Sequence, residues 1–239
     1  MTHVTRRANR LALPAIFAIA LLGGCATGGH VPGNIHFHKE RLTQYHESGN
    51  YERDIAKVAD DANAWLAQRL KTPGKHAVVF DIDETALSNW PSIKANDFGW
   101  ITGGDCKISD KGEVSKPCGL GPWIRMGRAE AIKPVLAVYQ TARKMGADVF
   151  FITGRPDLPA FREATEKNLR AAGFTEWAGL HLKPTGQKLD TIAYKSGERK
   201  RIESEGWKVV ASVGDQQSDL DGGYAERVFL VPNPFYYVP

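Results

Sequence analysis

The chain has 239 residues, 42% hydrophobic and 24% charged, which supports a globular core and excludes a chain held open by its own charge. The formal charge is +4, but Arg6, Arg7 and Arg10 supply most of it: beyond residue 24, 28 Lys and Arg face 27 Asp and Glu. That balance excludes a polyanion-binding surface set by overall charge, and no nucleic-acid partner is expected.

Residues 1–24 read as a targeting segment: a basic stretch ending at Arg10, an apolar run from Leu11 to Leu22, then Gly23-Gly24-Cys25. The run is shorter than the ~20 apolar residues that cross a bilayer, which favours a cleaved signal over a membrane span. Leu22-Gly23-Gly24-Cys25 resembles the bacterial lipobox, which implies cleavage before Cys25 and acylation of its sulfur as a membrane anchor. The competing reading is a soluble periplasmic protein in which Cys25 is incidental. Residues 25–36, small and Gly/Pro-rich up to Asn34, are expected to form a tether.

The folded domain is expected from residue 37 to 239. His38 to Ser48 and Tyr51 to Leu70 have helical character, the second with Ile55, Val58, Ala62, Trp65, Leu66 and Leu70 on one face. His36, His38 and His46 lie here, and solvated histidines on a helix face are commoner than ligands. From Lys75 short β-rich runs alternate with helical ones. Ala77–Ile82, Ala147–Ile152, Gly179–Leu182, Lys208–Val213 and Arg227–Val231 are predicted strands, while Glu130–Met145 and Pro159–Ala172 are predicted helices. This alternation predicts an α/β fold, a Rossmann-like parallel sheet flanked by helices, with an N-terminal helical segment. Ligands of such sheets bind at the carboxyl ends of the strands.

Residues 89–126 break the alternation and are too long for a plain connection, so they read as a cap insertion after the first core strand. Cys106 and Cys118 lie in this stretch. In an exported chain a local disulfide between them is expected, and an acylated Cys25 leaves no unpaired thiol.

Val78-Val79-Phe80-Asp81-Ile82-Asp83-Glu84-Thr85 carries the chemistry. An apolar strand delivers two aspartates, i and i+2, to one side of the sheet. Two converging carboxylates need a cation between them or a proton on one, and a hard divalent ion such as Mg2+ suits oxygen ligands.

Asp81-Ile82-Asp83-Glu84-Thr85 resembles the first motif of haloacid dehalogenase superfamily phosphatases. Thr153-Gly154-Arg155 at the end of a strand resembles the second. Tyr194-Lys195-Ser196 with Arg199 resembles the third, and Gly214-Asp215-Gln216-Gln217-Ser218-Asp219-Leu220 the fourth. The wording of these motifs is similar to one acid phosphatase branch that joins plant acid phosphatases and vegetative storage proteins to bacterial class C lipoprotein acid phosphatases. The resemblance implies a HAD-like fold and an outer-membrane lipoprotein that hydrolyses small phosphomonoesters with Mg2+. It implies Asp81 as nucleophile, Asp83 as general acid and base, and Thr153 and Lys195 as phosphoryl-binding groups. The metal would be held by Asp81, Asp215 and the backbone of Asp83, with Asp219 in an orienting role.

Thr85, Asn89, Trp123, Gly154 and Arg155 are expected near substrate, Trp123 as a wall because the similar bacterial enzymes place a tryptophan at the matching stretch. Arg155 could equally form a surface ion pair. Trp90, Phe98 and Trp100 read as core of the cap before they read as stacking platforms. Nucleoside monophosphates are one expected substrate class. A non-catalytic storage or binding lipoprotein on the same scaffold is the alternative, and a dehalogenase, which uses only the first aspartate, a third. Retention of Asp81, Asp83, Thr153, Lys195 and Asp215 weighs against both.

Overall fold

The computed structural model describes residue 1 and residues 33–186 and 189–238. The signal segment, Cys25 and most of the tether lie outside the described residues. Among the described residues no helix is long and apolar enough to cross a membrane.

The strands are β1 (His76–Phe80), β2 (Leu87–Ser88), β3 (Glu130–Ala131), β4 (Asp148–Pro156), β5 (Gly179–Lys183), β6 (Lys208–Gly214) and β7 (Val228–Leu230). The helices are α1 (Ile35–Glu47), α2 (Asn50–Arg69), α3 (Trp90–Ala95), α4 (Leu120–Met126), α5 (Lys133–Lys144), α6 (Pro159–Ala171), α7 (Thr191–Ser204) and α8 (Gln217–Leu220). Five strands form one parallel sheet in the order β5-β4-β1-β6-β7. Every residue of β1 is buried, because a parallel strand covered on both faces needs apolar side chains on both. Val78 and Phe80 pack into the larger core with Ile55 and Leu66 of α2 and Val135 and Val138 of α5. Ala77 and Val79 face the opposite layer with Tyr194 and Ile202 of α7.

Two boundaries differ from the sequence expectation. The tether is shorter than 25–36, since α1 starts at Ile35, where Asn34 Oδ1 accepts a hydrogen bond from His36 N at 2.9 Å and caps the helix. The helix expected from Glu130 starts at Lys133 instead. Pro134 sits in the first turn, where its missing N–H costs nothing. Glu130–Ala131 are thereby free to pair antiparallel with β2.

That β2–β3 ribbon roots the insertion. α3 follows β2 directly and α4 ends shortly before β3. Within the insertion Cys106 and Cys118 form the expected disulfide. His46, expected as a solvated helix-face residue rather than a metal ligand, stacks its ring on Trp90 at 3.9 Å between centroids.

Candidate active site

Register brings the motifs together. Phe80 pairs with Phe151 of β4 and with Val213 of β6. The residues just beyond, Asp81, Thr153 and Asp215, therefore sit at one carboxyl edge of the sheet. Asp81 N donates to Val213 O at 2.9 Å, which fixes the strand end.

Carboxylate oxygens of Asp81, Asp215 and Asp219 all lie within 4.8 Å of one another, and all three residues are buried. Lys195 of α7 reaches into the group: its Nζ donates to Asp81 Oδ1 and, at 2.6 Å, to Asp219 Oδ1. Asp215 is held by Thr85 Oγ1 at 2.8 Å, Gln216 Nε2 at 2.7 Å and Asn233 Nδ2 at 2.8 Å. Asp219 Oδ2 accepts from Gln216 N at 2.9 Å. Gly214 permits this closeness, because a Cβ there would come within 2.5 Å of Asp219 Cβ. Arg199, fully buried, secures the same loop by donating to Gly223 O at 2.8 Å and Leu220 O at 3.2 Å.

Three carboxylates around one ammonium leave the cluster short of positive charge. Burial pushes Asp81 well above the ordinary carboxylate range; Lys195 opposes that, and Asp219 and Asp215 add to it. Asp215 is pushed up to about 6, by burial first and by Asp219 next, against its three hydrogen bonds. Lys195 is raised despite burial, because Asp81 and Asp219 favour its charged form. An all-oxygen donor set of this density fits a hard divalent cation, which would be held by Asp81 and Asp215 with Asp219 beside them. Asp219 has both oxygens engaged by Lys195 and Gln216, which suits an orienting role.

A stability prediction follows. Unfolded, Asp215 titrates near 3.8 and, folded without a cation, near 6, so the folded state binds more protons in between. Stability from this group is complete below about 4 and is lost as pH rises through about 6. In chelator, the Tm should fall as pH is raised from 4 to 7; with divalent cation present, the fall should be reduced or abolished. Thermal melts across that range with and without cation read the effect.

Asp83 points elsewhere. Arg155 Nη2 donates to its Oδ1 at 2.7 Å and Nε to its Oδ2 at 3.0 Å, while Asn89 Nδ2 donates to Oδ1 at 2.9 Å. Burial raises the Asp83 pKa, but Arg155 and then Asn89 outweigh it and hold the carboxyl below its ordinary range.

A cleft of about 450 Å³ opens above these groups. Gly154 lines it as expected, and Trp100 and Ile101 of the insertion wall it together with Phe161 and Tyr236. Several expected substrate contacts are corrected. Trp123 is not a wall: it is buried, and its Nε1 donates to Asn89 Oδ1 at 2.9 Å. Trp100, expected in the core, is 64% exposed at the cleft. Thr85 is fully buried on Asp215 rather than facing substrate. Asn89 reaches the cleft, but its polar atoms are committed to Asp83, Glu84 and Trp123. The Arg155 guanidinium is neither a surface pair nor free for substrate, being buried between Asp83 and Thr165 Oγ1 at 3.0 Å. Thr153 is fully buried, its Oγ1 accepting from Arg155 N at 3.2 Å.

Three residues to which the sequence assigns no role take part. Glu84 is buried beside Asp83, and Asn233 and Tyr236 come from the segment after β7. The aromatic run Phe235-Tyr236-Tyr237 is the one sequence signal that marks this segment.

Residues 35–239 match the profile described as HAD superfamily, subfamily IIIB (acid phosphatase). The chain belongs to this acid phosphatase family. Among curated relatives of this subfamily IIIB protein, acid phosphatase 1 of Solanum lycopersicum is 34% identical over 200 residues, covering 82% of the chain and 73% of the relative. Vegetative storage protein 1 of Arabidopsis thaliana is 31% identical over 190 residues, covering 79% and 60% respectively. The fold is shared with the class C acid phosphatase of Bacillus anthracis, at a TM-score of 0.63 and 21% identity, over 83% of this chain and 86% of that one. The expected superfamily, branch and parallel-sheet fold are thus confirmed.

Proposed function

We propose that this subfamily IIIB acid phosphatase hydrolyses phosphomonoesters through phosphorylation of Asp81. The observation that carries the proposal is the placement of Asp81 at the end of β1, its Oδ1 on Lys195 and its carboxylate against Asp215 and Asp219. An Asp81 oxygen attacks phosphorus and the phosphorus–oxygen bond to the alcohol breaks, Asp83 giving its proton to the departing oxygen. Water then attacks the same phosphorus, Asp83 takes its proton, and the acyl phosphate bond breaks to restore Asp81. Lys195 holds phosphoryl oxygens, and so does the Thr153 hydroxyl, which unlike that of Thr85 keeps its proton to donate, its Oγ1 only accepting from Arg155 N among the described residues. Because Arg155 and Asn89 favour the Asp83 anion, its acid form grows as pH falls, which suits hydrolysis in acid.

Mg2+ is the cation proposed for Asp81, Asp215 and the Asp83 backbone; bound there it neutralises charge on the phosphoryl group. The largely apolar cleft walls suit aryl phosphates and nucleoside monophosphates. We also propose a lipid anchor at Cys25, which would hold the site outside the inner membrane. Storage-protein relatives raise the alternative of a non-catalytic scaffold, but every charged group of the mechanism is present here. The test is phosphate release from p-nitrophenyl phosphate and a panel of nucleotides and sugar phosphates. Expected is hydrolysis that rises toward acid pH, stops in EDTA and returns with Mg2+. Absence of release across the panel would sink the proposal.

A further inference from the structure

We propose that Glu84 is a positioning residue for Asp83, acting through the side-chain amide of Asn89. This rests on the phosphatase reading above, in which Asp83 delivers the proton. Glu84 is 1% exposed and sits at a φ of 56°, a left-handed backbone that a residue with a Cβ adopts only at some cost. That turn, closed by Glu84 N on Leu87 O at 2.8 Å, folds the side chain toward Asn89. Glu84 Oε1 accepts from Asn89 N at 2.5 Å, and Oε2 accepts from Asn89 Nδ2 at 3.0 Å and from the Tyr236 hydroxyl at 2.8 Å.

The orientation of the Asn89 amide is settled by its surroundings. An indole N–H only donates, so the group facing Trp123 Nε1 is Oδ1. The NH2 must then face the carboxylates, one proton to Glu84 and one to Asp83 Oδ1. With Arg155 Nη2 also on Oδ1 at 2.7 Å, that oxygen is occupied. Asp83 Oδ2 accepts from Arg155 Nε alone among the described residues, which leaves it a lone pair for the proton that is transferred. Glu84, opposite Trp123, therefore holds the Asn89 amide that together with Arg155 occupies Asp83 Oδ1 and leaves Oδ2 to work.

Glu84→Gln tests this, because a Gln side chain cannot accept from all three donors at once. The readout is kcat/KM with two leaving groups. p-Nitrophenolate departs without a proton, whereas the alkoxide of glycerol 2-phosphate needs one. Expected is a loss of no more than ~3-fold with p-nitrophenyl phosphate but ~50-fold or more with glycerol 2-phosphate, within the range of general acid catalysis. Asn89→Ala should show the same split, and the double variant should lose no more than Asn89→Ala alone, since both act on one contact. Equal losses on the two substrates, or additive losses in the double variant, overturn the assignment. If Glu84→Gln does not fold, Tyr236→Phe, which deletes one donor to the same carboxylate, decides in its place. A split in the same direction supports the role and its absence overturns it. A wild-type protein that hydrolyses neither substrate overturns the phosphatase reading itself, and an Asp83→Asn variant without the split overturns only the acid role of Asp83.

Discussion

Asp81→Asn should lower kcat/KM for phosphomonoesters by about 10⁵-fold, comparable to other losses of a covalent nucleophile. An amide has the shape of the carboxylate but not its nucleophilic oxygen, so the covalent step disappears rather than slows. The fold should survive. Asp81 is buried against Asp215 and Asp219, where burial raises its pKa, Lys195 opposes and those two neighbours add to it; an Asn relieves the like-charge crowding and leaves Lys195 its bond to Asp219. The variant should therefore melt in chelator no lower than the wild type and gain less from added cation. Activity within ~10-fold of the wild type would show that another group accepts the phosphoryl.

Lys195→Met should cost about 10³-fold in kcat, the upper range for losing one preorganised charge at the reacting group. It should also destabilise the cation-free protein by about 3 kcal/mol, because the ammonium is the partner of two buried carboxylates and its removal leaves them unpaired. A divalent cation should return part of that stability and little of the activity. Lys195→Arg should not rescue catalysis, since a planar fork does not replace a point charge between two carboxylates. Lys183 also lines the cleft, but it ends β5, two strands from β1 and so on the order of 10 Å away along the sheet. Denaturant melts in EDTA and steady-state kinetics with Mg2+ separate the two effects.

The fold was legible where pattern and burial coincide. β1, β4 and β6 are apolar runs because both faces of a central parallel strand are covered. The acidic and lysine motifs fall at the strand ends and helix that this topology brings together. Contacts between distant residues were not legible. Arg155 and Asp83 are 72 positions apart and Tyr236 and Glu84 are 152 apart, and no local periodicity links them. The left-handed Glu84 turns the chain just before Thr85, so the Thr85 hydroxyl meets Asp215 instead of the cleft. Trp100 and Trp123 exchanged expected places for a similar reason. α4 packs against α6, and Trp123 on it is buried against Asn89, whereas Trp100 lies in an irregular stretch whose facing no helical repeat dictates.

Covalent capture is the most direct test of Asp81 as the phosphoryl acceptor. Asp83→Asn, which should slow attack of water on the intermediate, would be mixed with p-nitrophenyl phosphate and Mg2+, quenched in acid and digested for mass spectrometry. The account predicts one added phosphoryl group on the peptide carrying Asp81, labile to hydroxylamine and absent when Asp81 is also replaced by Asn. A phosphoryl group on any other residue, or turnover with no labelled peptide at any quench time, would contradict it.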